Sequence, residues 1–141
     1  MMFHTDDEIE KIGKGLLDRT LPKADWTHAA HFAAAVWMLR RRGQAAFSEM
    51  PGIIRAYNEA TGGRNTDAEG YHETITRASL IVARAHLAAQ ADRPMFKQVN
   101  SLLGGPCGQS GWILLHWSPE RLFSAEARRA WVDPDLAPLP A

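Results

Sequence analysis

The chain has 141 residues, 45% of them apolar and 23% charged, enough for one domain with a real core. Sixteen basic residues balance sixteen acidic ones, so nothing in the charge argues for nucleic acid or an anionic membrane as the main partner. A single cysteine, Cys107, excludes an intrachain disulfide and suits a reducing compartment. The N-terminus lacks the basic start and apolar run of a secretory signal, and no stretch reaches the roughly 18 apolar residues that cross a bilayer. The expected compartment is the cytoplasm.

Thr5 or Asp6 caps a first helix running to about Thr20, with acids in its first turn and Ile9, Ile12, Leu16 and Leu17 as its apolar stripe. Gly13 and Gly15 weaken it by about 1 kcal/mol each against alanine. A second, alanine-rich helix starts near Asp25 or Thr27 and stops at Gly43, with Arg40, Arg41 and Arg42 complementing its dipole. The third spans about Gln44 to Ala60, with a break expected at Pro51-Gly52. A polar, glycine-bounded loop from Gly62 to Gly70 leads to a fourth helix over about Tyr71 to Gln90. Asp92 is the expected cap of a fifth, about Pro94 to Leu103. A short helix over Ser110–Trp117 follows, then helices capped by Ser118 and Ser124. The tail over about 133–141, rich in proline, is expected to be extended and superficial. These patterns predict an all-α, single-domain bundle of five to seven helices.

Two helix starts carry polar groups out of keeping with the apolar helices they open. In Trp26-Thr27-His28-Ala29-Ala30-His31 the two histidines share a helix face, about 5–6 Å apart at Cβ. That spacing lets two imidazoles bind one metal ion. In Tyr71-His72-Glu73-Thr74-Ile75-Thr76, His72 stands on one side of the helix with Thr76, Ser79 and His86. If the two starts meet, His28, His31 and His72 supply three ligands to a divalent metal, zinc or iron, with one position open for water or substrate. Glu73 then has several candidate roles: fourth ligand, hydrogen-bond partner to a ligating histidine, general base, or plain ion-pair partner of Arg77. Thr76 would orient a water or substrate. Against this stands the blander reading, in which each histidine bonds within the core. His86 and His116 read that way, His4 lies in a frayed terminus, and Cys107 reads as incidental. The five tryptophans read mostly as packing, with Trp26 a candidate pocket wall and Tyr57, Asn58 and Tyr71 candidate polar handles.

These two motifs, with Tyr57-Asn58 and Ser118-Pro119-Glu120-Arg121-Leu122-Phe123-Ser124, resemble an uncharacterised family of small all-helical bacterial proteins. The resemblance covers about Leu21 to Leu139 and implies a common helical fold in which the two histidine motifs act as one unit. Four-helix metal-binding bundles with three histidines, such as the DinB-like group, look similar in outline only. Two functions are therefore expected as alternatives. One is a metal-dependent hydrolase or lyase-type enzyme acting on a small molecule; the other is a non-enzymatic small-ligand-binding or interaction module. A homodimer is the default expectation for assembly.

Overall fold

The computed structural model describes residues 2–140; Met1 and Ala141, the last residue of the predicted tail, lie outside them. The described residues form seven α-helices and no strand, in agreement with the all-α expectation. They are α1 (Asp6–Asp18), α2 (His28–Arg42), α3 (Ala46–Ala60), α4 (Glu73–Ala89), α5 (Met95–Leu103), α6 (Pro119–Leu122) and α7 (Ala125–Arg129).

The bundle is built around α2. Its side chains are buried without interruption from Phe32 to Leu39, and it touches α1, α3, α4 and α5. A helix apolar on every side has to be central. Three consecutive alanines, Ala33, Ala34 and Ala35, let the neighbouring backbones come close. The termini follow the side chains that can bond them. Thr5 and Glu8 form a reciprocal capping box on α1, Thr27 caps α2 through Ala30 N–H, and Ser118 and Ser124 cap α6 and α7.

Three expectations are corrected. The third helix does not break at Pro51: α3 runs straight through it. Ala46, Met50, Ile54 and Tyr57 recur at helical spacing and all face the core, and that packing offsets the one backbone hydrogen bond a proline forfeits. Asp92 does not cap α5. Pro94 precedes the helix, and Asp6 from the start of α1 accepts Phe96 N–H at 2.9 Å. The stretch 110–117 forms only a 3₁₀ turn over Trp112–Leu115.

Gly13 is more than a weak spot in α1. A Cβ there would lie 2.1 Å from the Trp37 ring, so the glycine is where α1 and α2 press together. Trp37 is fully buried and its indole donates to Glu10 at 2.8 Å, which leaves the ring no easy way to yield. Gly13→Ala therefore lowers stability by about 1–3 kcal/mol through overpacking, although helix propensity alone would raise it by about 1 kcal/mol. Urea denaturation of the two proteins reads the sign directly.

Candidate functional site

The Tyr71–Thr76 motif is a clasp on the C-terminal segment. His72 is the residue before α4 and caps it: Nδ1 accepts Ile75 N–H at 3.1 Å. Its Nε2 lies 2.7 Å from the Leu122 carbonyl, which can only accept, so Nε2 carries the proton. Both ring nitrogens are thus occupied. Thr74, fully buried, donates to the Ala130 carbonyl at 3.0 Å and accepts Val132 N–H at 3.2 Å. Nearby, Trp117 donates to the Val132 carbonyl. Glu73 accepts the Tyr71 hydroxyl at 2.7 Å instead of pairing with Arg77, whose guanidinium lies over the Trp131 ring. Burial and the Glu73 carboxylate push the Tyr71 hydroxyl far above its ordinary value, so it is protonated and donates.

The loop before the clasp is tied to the same segment. Asn65 accepts Tyr71 N–H and donates to the Arg55 carbonyl, while Arg128 donates to the carbonyl of Gly70. Gly70 has φ +83°, and a Cβ there would fall 2.0 Å from the Arg64 carbonyl oxygen. Only glycine fits that turn.

The Trp26–His31 motif faces a different place. His28, His31 and Thr76 all line a half-open cavity of about 320 Å³ between α2, α3, α4 and residues 110–113. His72 and Glu73 are not in its wall. The second helix start therefore brings Ile75 and Thr76 to the cavity, and not the third imidazole expected of a metal centre. Among the described residues no group of three or more His, Cys, Asp or Glu is placed to hold a metal ion.

Both cavity histidines are held by backbone carbonyls. His28 Nε2 donates to Cys107 O at 2.7 Å, and His31 Nδ1 donates to Thr27 O at 2.8 Å. His31 stacks on Trp26 with ring centroids 3.8 Å apart. Protein atoms crowd its ring, yet water still reaches it through the open side of the cavity. Burial shifts its pKa down; the Thr27 carbonyl opposes this and His28 adds to it. At neutral pH the ring is uncharged, with a lone pair on Nε2.

Sequence reasoning missed part of the wall. Ser110, Trp112 and Ile113 close it from the far side of the chain, and Met50 and Ile54 come from α3. The buried face of α3 was legible in its spacing; the 110–113 segment gave no signal beyond the glycines around it. A second cavity, about 690 Å³, lies beyond Trp112 and includes Cys107, His86 and His116. Cys107 is half-buried, and burial pushes its thiol pKa up, away from the reactive thiolate. No helix among the described residues is long and apolar enough to cross a membrane. No family model, no curated protein and no solved structure matches the chain.

His72 makes stability depend on pH. Its burial holds the folded pKa below the ordinary 6.5, and the positive charge of Arg128 acts in the same direction. The unfolded chain then binds the proton at higher pH than the folded one, so stability is full above about 6.5 and is lost as pH falls toward the folded value. Protonation would also set an N–H against Ile75 N–H and undo the cap. His72→Ala should lose about 1–2 kcal/mol at pH 8 and flatten the decline between pH 8 and 5. The slope that remains belongs to His31 and His86, whose pKa values are also lowered by burial. Thermal melts of the two proteins across that range decide it; an unchanged slope would remove His72 as the source.

Proposed function

We propose that this chain is a small-molecule-binding protein whose site is the cavity between α2, α3 and α4, and that its ligand is uncharged and largely apolar. One observation carries the reading: the wall of this 320 Å³ space contains no Asp, Glu, Lys or Arg. A charged ligand would lose its hydration and gain no opposite charge in return, a net cost of several kcal/mol. The volume lies in the range of sites for small organic ligands, and the lining has their usual character, apolar and aromatic with a few polar groups. Trp26, Phe32 and Trp112 supply the aromatic surface, and Thr76, Ser79 and Ser110 supply hydroxyls.

Metal-assisted hydrolysis has the weaker support. Catalytic zinc ordinarily takes three protein ligands and keeps one open position. Here the lone pair of His72 is spent on Ile75 N–H, which leaves His28 and His31 as the imidazole donors at the cavity.

Naphthalene is a suitable first probe, because it tests the apolar volume alone. It should bind one molecule per chain and perturb tryptophan fluorescence, through Trp26 and Trp112. Ser79→Phe places a ring in the cavity and should weaken that binding at least about tenfold, since a filled cavity has no room for the probe. Unaltered binding in Ser79→Phe would put the site elsewhere. For the metal reading the check is elemental analysis of protein purified without a histidine tag. About one ion per chain that disappears in both His28→Ala and His72→Ala would reinstate it.

A further inference from the structure

The five tryptophans divide by what their indole N–H groups bond. Trp37 donates to Glu10 at 2.8 Å, Trp117 to the Val132 carbonyl at 3.0 Å and Trp131 to Asp133 at 3.0 Å. Trp26 and Trp112 donate to no atom of the described residues, and neither indole nitrogen is sealed from solvent. Both rings line the cavity between α2, α3 and α4.

The two imidazoles of that cavity are the complement. Their protonated nitrogens are spent on the carbonyls of Cys107 and Thr27. In the neutral ring the lone pairs are those of His28 Nδ1 and His31 Nε2, and neither has a protein donor. Residues that line one cavity thus carry two donors and two acceptors with no protein partner. With no protein partner and open to water, these groups are solvated when the cavity is empty, and a ligand that displaces that water has to donate and accept to replace the bonds it removes.

Shape narrows the class further. The donors and acceptors sit on aromatic rings, and those rings lean on one another. Trp26 stacks on His31, His28 meets Phe32 edge-on with centroids 5.4 Å apart, and Phe32 lies 6.0 Å from Trp112. Such a wall offers ring faces and edges to a flat guest.

We infer that the ligand is a flat, uncharged heteroaromatic ring with an N–H donor beside a carbonyl or ring-nitrogen acceptor on one edge, as in a lactam or a nucleobase. The inference rests on the cavity being the ligand site. A carboxylate would meet two N–H donors but no cation, with two lone pairs opposing its charge, and an ammonium would find no carboxylate. A plain hydrocarbon fits the volume but leaves the four polar atoms unbonded.

Three probes of one size separate these cases: isoquinolone, naphthalene and naphthoate, titrated into the 141-residue chain at about pH 8, where imidazole is neutral. Binding is read by ligand-observed NMR. Isoquinolone should bind at least about tenfold tighter than naphthalene, and naphthoate weakest of the three. His31→Phe and Trp112→Phe each remove one polar atom and keep an aromatic ring. Each should shrink the ratio of isoquinolone to naphthalene affinity by at least about threefold, both affinities being taken in the same variant so that a change in cavity volume cancels. Equal binding of isoquinolone and naphthalene by the wild type overturns the edge recognition and leaves the cavity as an apolar site. Tightest binding of naphthoate overturns it in favour of an acidic ligand. If none of the three binds, the ligand class and the site fall together. The wild-type comparison needs no variant, so a poorly folding substitution does not shelter the inference.

Discussion

A backbone carbonyl can accept a proton donor but never supply one, and this protein sets four of its imidazoles against such carbonyls. His28 faces Cys107, His31 faces Thr27, His72 faces Leu122 and His116 faces Ala137. Each of those nitrogens must carry the hydrogen, which fixes the tautomer and makes the opposite nitrogen of a neutral ring a lone pair. What then meets that lone pair decides what the histidine does. At His72 it is Ile75 N–H, and the imidazole does for α4 what an asparagine side chain does at other helix starts. At His28 and His31 no protein donor arrives, and the lone pairs belong to a cavity.

The two motifs are therefore joined through α4 without forming one centre. The Tyr71–Thr76 segment uses Tyr71, His72, Glu73 and Thr74 to close the loop and hold residues 122–132 against the helix start. One step further along, Ile75 and Thr76 turn toward α2 and enter the cavity wall. The clasp fixes the first turn of α4, and that turn fixes where the cavity ends. Substitutions in the clasp should reach the cavity by moving this wall, without touching a ligand.

How much of this could be read from the chain depended on how local the cause was. Caps at Thr5, Thr27, Ser118 and Ser124 involve residues three apart and were legible. The course of α3 through Pro51 was not, because the decision lies in four core contacts that outweigh one lost hydrogen bond. Gly13 looked like a defect in helix propensity and is a contact with Trp37 on another helix. His72 was visible as an imidazole at a helix start. Its partner lies 50 residues away, so a metal ligand and a cap looked alike in sequence. The aromatic and polar composition of the α2 start was legible too; the Ser110–Ile113 wall opposite it was not, since only folding brings it there.

An open cavity in a chain this small carries a physical demand. Unfilled volume costs roughly 20–25 cal/mol per Å³ when it is dry, and a small domain has only about 5–15 kcal/mol of stability in all. The space between α2 and α4 persists because its walls are fixed from outside. α2 is buried from Phe32 to Leu39, α3 is held by its core face, and α4 is pinned at its first turn by the C-terminal segment. The last wall is held by the core burial of Trp112 and Ile113, by the contact of Trp112 with Phe32 of α2, and by the bond between His28 and the Cys107 carbonyl. Cys107 itself lines the second cavity, and Trp112 borders both. Whatever fills one cavity therefore bears on the segment that closes the other, and an imidazole that would meet a ligand is one of the groups that hold that segment in place.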